Sequence, residues 1–132
     1  MTALFHAHSG LRFLVLLLGV LNLAALIFSL TSKGKFAKHH RILHSAFTGT
    51  LHLQVLLGVG LVAMGRYYPA LIGHMVMMLI ATVVSQVSAA VNKKKPEPGL
   101  VLPLIGVSAA LLLIFGGVMA IGRGLFTMTP GT

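Results

Sequence analysis

Four long apolar runs occupy most of this chain, and short polar segments separate them. The runs cover about residues 9–30, 42–64, 69–91 and 100–121. A helix needs about 20 predominantly apolar residues to cross the hydrocarbon core of a bilayer. The pattern therefore predicts an all-α integral membrane protein, with four helices in a single transmembrane domain. Because the connections are short, we expect an antiparallel, up-down four-helix bundle.

Small and polar residues recur at helical spacing within each run, which predicts the helix faces that point into the bundle. For the first helix these residues are His8, Arg12, Val15, Gly19, Asn22, Leu26 and Ser29. For the second helix they are His44, Ser45, Thr48, Gly49 and His52. For the third helix they are His74, Met78, Ala81, Ser85 and Ser88, and for the fourth Ala109, Gly116, Ala120 and Arg123.

The net charge of +9 comes from segments between the runs. Seven of the ten basic residues lie in the first and third connections: Lys33, Lys35, Lys38, Arg41, Lys93, Lys94 and Lys95. The positive-inside rule places both connections in the cytoplasm and both termini outside, in a bacterial inner membrane. This distribution accounts for the basic charge through orientation and contact with membrane lipid headgroups. We therefore expect no nucleic-acid partner.

The missing residue types exclude several kinds of chemistry. The chain has no cysteine, so disulfides, thiol catalysis, iron–sulfur clusters and covalently attached c-type haem are excluded. Its one acidic residue is Glu97, in the lysine-rich third connection. Paired-carboxylate catalysis and oxygen-rich magnesium or calcium sites are therefore excluded. Any chemistry depends on histidine, methionine, arginine and the backbone.

Three of the seven histidines are candidates for a function. His52 falls near the middle of the second run, where an ionisable side chain is by default a functional-site hypothesis. His8 and His74 are on the inward faces of helices that lie diagonally in an up-down bundle, so we expect them to face each other near the outer end. The alternative for each is a neutral imidazole that hydrogen-bonds to a neighbouring side chain.

Haem b suits two such histidines best, because its iron takes neutral imidazoles and its macrocycle fits between helices. Arg12, Arg66 and Arg123 reach the same membrane side, where they would pair with haem propionates. The alternative for each arginine is snorkelling to lipid phosphate. A chlorin pigment, which takes a single axial histidine, stays open. Several roles for His52 also stay open. It could donate a hydrogen bond to a quinone or a propionate, act as a lone ligand, or share a tilted haem with His74.

The other histidines and the methionines suggest less. His39 and His40 are expected to be solvated in the basic connection, His6 to be interfacial, and His44 to lie near the cytoplasmic water line. Copper is a lesser alternative, because Cu(I) binds thioethers and imidazoles. Its candidate ligands are the His6–His8 pair and Met64, Met75, Met77, Met78, Met119 and Met128.

Three blocks, HSGLR (His8–Arg12), HLQVLLG (His52–Gly58) and HMVMML (His74–Leu79), together resemble small four-helix bacterial membrane proteins labelled cytochrome b-like. Their order and spacing match over most of the chain. The third block departs from the family pattern, in which Glu-His-Pro precedes the methionine pair; here the residues are Gly73, His74 and Met75. The resemblance implies haem and marks His8, Arg12, His52 and His74 as special positions.

These observations predict a haem b-binding membrane subunit that transfers electrons within a larger respiratory or photosynthetic redox complex. A cofactor-free structural subunit that packs against such a complex is the alternative. The sequence favours either kind of subunit over a stand-alone enzyme.

The charge distribution predicts how the chain crosses the membrane. A C-terminal reporter that is active only in the cytoplasm should be silent, because the basic connections hold the opposite side inside. Expression of the fusion, checked by immunoblot, is the control. An active reporter would invert the topology and place His8 in the cytoplasmic half.

Overall fold

The predicted helices are all present in the computed structural model, which describes residues 2–65, 67–69 and 71–121. The helices are α1 (Thr2–Thr31), α2 (Lys38–Ala63), α3 (Leu71–Lys94) and α4 (Val101–Ala120). Each is long and apolar enough to cross a membrane. The all-α four-helix architecture is therefore confirmed.

Two helices begin earlier than the apolar runs predict. α1 starts at Thr2 rather than near residue 9, and α2 starts at Lys38 rather than near residue 42. Helices continue beyond the hydrocarbon core, where polar residues can meet water or headgroups. As a consequence, His8 lies in the second turn of α1 and not at its mouth.

The helices form a ring in chain order. α1 packs against α2 and α4, and α3 packs against α2 and α4. α1 and α3 are therefore diagonal, as the sequence predicts. We call the end with the α1–α2 and α3–α4 connections the lysine-rich half, and the end with the start of α1 the N-terminal half.

Small residues allow α3 and α4 to pack closely against each other. A Cβ atom added at Gly106 would lie 2.5 Å from the Cβ of Ser88, and one at Gly117 would lie 3.2 Å from the Cβ of Met77. Neither position can therefore hold a larger residue without moving a neighbour. In lipid, the hydrophobic effect does not drive helices together, because the lipid tails are as apolar as the helix surfaces. Helices associate there through close packing of this kind.

The core of the bundle is centred on Phe47, whose side chain is fully buried. Gly19 makes room for it, because a Cβ there would lie 3.1 Å from Phe47 Cε1 and 2.6 Å from Leu111 Cδ2. The buried cluster that includes Phe47 is completed by Val15, Leu51, Ala81, Val107, Ala110, Ile114 and Val118. All four helices thus contribute to one apolar core.

The predicted inward faces are right for α1 and α3 and partly wrong for α2 and α4. On α2, Gly49 and His52 are exposed, while Phe47 and Leu51 point inward. The large apolar side chains fill the core better than the small and polar ones, so α2 is rotated to present them. The α4 face is displaced by one position, with Ala110 buried instead of Ala109. Arg123 lies outside the described residues.

Buried polar groups in the lysine-rich half bond to one another. Thr48 Oγ1 lies 2.7 Å from Ser85 Oγ, which lies 3.4 Å from His44 Nε2. His40 accepts a hydrogen bond at Nδ1 from the Ala37 N–H, and its Nε2–H donates to Ser29 Oγ at 2.9 Å. The expectation of a solvated His40 is therefore wrong, since its side chain is buried, whereas the burial of His44 confirms its predicted place on the inward face of α2.

The contact between Gly106 and Ser88 predicts a cost for a single added methyl group. Gly106→Ala should destabilise the bundle by about 1–3 kcal/mol, the usual range for overpacking. Stability is measured as the concentration of denaturing detergent that unfolds the purified chain, and far-UV circular dichroism monitors the unfolding.

Gly49→Ala is the matched control, because nothing lies within 4 Å of a Cβ at that position. It should leave stability unchanged or raise it slightly. Equal stability of the two variants would contradict the tight α3–α4 contact.

Candidate functional site

A cavity of about 540 Å³ lies in the N-terminal half of the bundle, and all four helices line it. Its wall is mostly apolar. Its polar lining residues are His8, Ser9, Arg12, Gln54, Tyr67, Tyr68, His74 and Thr82. Val15 and Leu51, which belong to the core around Phe47, also line it. The cavity therefore begins where the close-packed core ends.

The C-terminal end of α2 leaves room for this cavity. Gly58 lines it and lies against His8, because a Cβ at Gly58 would be 3.3 Å from His8 Cε1. Gly65 also lines it and has a φ of 94°, in the left-handed region that glycine adopts without a steric cost. Both glycines keep side chains out of the space beside α1.

The two histidines that the sequence pairs across the diagonal are brought together here. The ring centroids of His8 and His74 are 6.5 Å apart, and the ring planes meet at 82°. Both rings line the cavity and are half-buried. The two side chains, from diagonal helices, are therefore neighbours across the cavity.

A backbone carbonyl fixes the orientation of His74. Its Nδ1–H donates to the carbonyl oxygen of Gly117 at 2.9 Å. In the neutral ring, Nε2 then carries a lone pair and no proton. This is the arrangement that orients metal-ligating histidines, whose second nitrogen is usually held by a carbonyl or a carboxylate.

Arg12 places a permanent positive charge in the cavity wall. Its side chain is only 7% exposed, and it lies one helical turn from His8 on the same face. The guanidinium carbon is 4.9 Å from the centroid of the Phe13 ring. Arg66 and Arg123, predicted to reach the same region, lie outside the described residues.

Three lining side chains that the sequence analysis did not single out carry buried polar atoms. Ser9 Oγ, Gln54 Oε1 and Tyr68 OH have no hydrogen-bond partner within the described part of the chain. Polar atoms of this kind usually find a partner in a native structure. Gln54 follows His52 by two residues in the HLQVLLG block, which was the one available signal for it.

His52 is not part of the cavity. It lies on the outer surface of the bundle, where its Nε2–H donates to Gln86 Oε1 at 3.0 Å. The predicted inward orientation of His52 is therefore wrong. A haem shared by His52 and His74 would need both rings to reach the cavity. His74 lines the cavity, whereas His52 is exposed on the outer surface.

The copper candidates do not converge. His6 is exposed and contacts Phe5 at a centroid distance of 5.8 Å, while His8 lines the cavity. Met75 and Met78 line the cavity, whereas Met64 and Met119 are exposed elsewhere; Met128 falls outside the described residues. Among the residues that the structure describes, no group of three or more His, Cys, Asp or Glu side chains suits a metal ion.

Comparisons with protein-family models, with curated proteins and with solved structures found no match to this chain. The resemblance to cytochrome b-like membrane proteins stays a prediction that depends on three sequence blocks. The functional assignment must therefore depend on the geometry and chemistry of the cavity itself.

Proposed function

We propose that this protein is a haem b-binding membrane subunit that carries electrons within a larger integral membrane redox complex. The pair of histidines in the cavity wall, His8 and His74 with ring centroids 6.5 Å apart, is the observation that supports the proposal.

The separation of the rings suits two axial ligands of one iron. A metal–imidazole bond is about 2.0 Å long, and a ring nitrogen lies about 1.1 Å from its ring centre, so two opposed ligands have centres about 6 Å apart. The centroid distance of 6.5 Å between His8 and His74 is close to this value. Haem iron needs only two protein ligands, so the absence of a larger ligand cluster among the described residues does not count against it.

The tautomer of His74 supports the same assignment. Since Nδ1–H donates to Gly117, Nε2 is the nitrogen that would serve as the ligand. The carbonyl also makes the imidazole a stronger donor to a metal.

The cavity has a suitable size and lining. Its volume of about 540 Å³ falls within the range of about 300–1,000 Å³ that is usual for cofactor sites. Apolar residues from all four helices, such as Val15, Leu51, Met78 and Ile114, would exclude water from a macrocycle. When bound there, haem b supplies reversible one-electron transfer.

Arg12 would act on the site through its charge. A buried cation stabilises anionic groups such as propionates, and it also favours the less positive state of a nearby iron. Arg12 is therefore a positioning and tuning residue, not a ligand.

The surface of the bundle is consistent with a subunit role. Large apolar side chains such as Phe28, Leu56 and Leu112 are more than 65% exposed. This surface suits contact with lipid and with other membrane subunits.

The proposal predicts the effect of removing each histidine. Purified wild type should show a low-spin haem b spectrum that changes on reduction with dithionite. His8→Ala and His74→Ala should abolish it or convert it to a high-spin form, because each removes an axial bond. His52→Ala should leave it in place, since His52 lies outside the cavity.

His52→Ala is the matched control for the loss of an imidazole from the membrane. If the wild type, expressed with sufficient haem supply, contains no haem, or if both cavity variants keep its spectrum, the haem proposal fails. A cofactor-free structural subunit would then remain, and its co-purification with a larger membrane complex would be the test.

The charge of Arg12 predicts a shift in the reduction potential. Arg12→Gln should lower the reduction potential while the low-spin spectrum is retained. A decrease of about 59 mV for one electron corresponds to a loss of about 1.4 kcal/mol in the stabilisation of the reduced state. Arg12→Lys keeps the charge and should stay closer to the wild-type potential. Spectroscopic redox titration measures all three, and equal potentials in the three proteins would contradict the role of the charge.

A further inference from the structure

The hydrogen-bonded pair of His52 and Gln86 is an unusual feature of the outer surface. Both side chains are exposed, and one comes from α2 and the other from α3. They bridge the groove between these helices on the face that a membrane would cover. Polar side chains in transmembrane helices otherwise tend to face the interior of a bundle.

The pair lies deep in the predicted membrane. His52 is about 21 Å from the start of α2 and about 16 Å from its end, and Gln86 is about 12 Å from the nearer end of α3, at 1.5 Å per residue. Phospholipid headgroups and ester carbonyls lie at the boundary of the roughly 30 Å core. They do not reach this depth, and neither do soluble ligands.

The pair retains capacity for another hydrogen bond. His52 Nε2–H donates to the Gln86 oxygen, so the two N–H groups of the Gln86 amide remain as donors. An unsatisfied donor in hydrocarbon costs several kcal/mol. A carbonyl acceptor on a molecule that dissolves in the membrane would remove this cost.

The cavity reaches the surface between the same two helices, about two to three helical turns from the pair. Val59 on α2 and Met75 and Leu79 on α3 line the cavity and are also exposed, so the cavity opens between these helices. We call this the α2–α3 opening. Its three residues are apolar, which suits the ring and the tail of a lipid-soluble molecule and offers no charge to a soluble redox protein.

We propose that the His52–Gln86 pair and the adjoining groove bind a quinone-class molecule, with a ring carbonyl accepting a hydrogen bond from the Gln86 amide. The depth of the pair, its free donors and the apolar α2–α3 opening point to this ligand class. The inference goes beyond haem binding and does not require it. It would place a lipid-soluble electron carrier one to three helical turns from the cavity that contains His8 and His74.

The test is equilibrium binding of a radiolabelled short-chain ubiquinone analogue to the full chain in quinone-free nanodiscs. Wild type should bind saturably. Gln86→Leu and His52→Leu should each weaken binding about tenfold or more, because the first removes the donor and the second releases the amide from its orientation. Thr50→Val is the matched control on α2 and should bind as wild type does, since the Thr50 hydroxyl is already bonded to the Phe47 carbonyl.

Separate readouts distinguish the alternatives. The haem spectrum is recorded for every variant, and it should be unchanged in Gln86→Leu and His52→Leu whether or not they bind the analogue. Absence of saturable binding in wild type, or equal binding in all four proteins, would overturn the inference. So would a particle mass showing that the pair joins two copies of the chain, with Gln86→Leu converting a dimer to a monomer.

Discussion

The contact between Phe47 and Gly19 is the constraint on which the rest of this bundle depends. Phe47 is fully buried at the centre of four helices, and a Cβ at position 19 would crowd both Phe47 and Leu111, at 3.1 and 2.6 Å. Around it the helices are close-packed, and the α3–α4 interface is drawn tight by Gly106 and Gly117. This core closes the middle of the bundle, and the cavity that His8 and His74 line lies on its N-terminal side.

The two halves of the bundle differ in how many of their buried polar groups have hydrogen-bond partners. In the lysine-rich half, the side chains of His40, His44, Thr48 and Ser85 are buried and find partners within the chain. In the N-terminal half, the polar groups line a cavity, and several buried oxygen atoms have no partner within the described residues. Low dielectric makes such groups costly unless a ligand or water meets them. Asn22 Oδ1 is an exception in the lysine-rich half, since it also has no partner within the described residues. The larger number of such atoms around the cavity supports the proposal that the cavity binds a ligand.

The sequence predicted most of the fold but only part of the site. The face of α1 could be read because Arg12 and Asn22 are conspicuous in an otherwise apolar helix, and both are buried. The diagonal pairing of His8 with His74 followed from the up-down topology. The orientation of α2 could not be read, because small and polar residues suggested one face while the volumes of Phe47 and Leu51 decided another.

Long-range partners explain the other failures. His52 pairs with Gln86, which is 34 residues away, and His40 pairs with Ser29 on the preceding helix. No local pattern records such contacts, so an ionisable residue in mid-membrane was assigned to the interior by default. Ser9 and Gln54 lie within the HSGLR and HLQVLLG blocks, but nothing in the sequence shows that their oxygens meet Tyr68 in one cavity, because the three come from separate segments.

The most direct measurement of the central claim is the electron paramagnetic resonance spectrum of the oxidised, purified protein. If His8 and His74 hold a haem with their ring planes at the observed 82°, the nearly perpendicular imidazoles should give the ferric protein a strongly anisotropic low-spin signal. That signal is the result expected here. A high-spin signal, a low-spin signal typical of parallel imidazole planes, or no haem signal at all would contradict ligation by His8 and His74 in the geometry described.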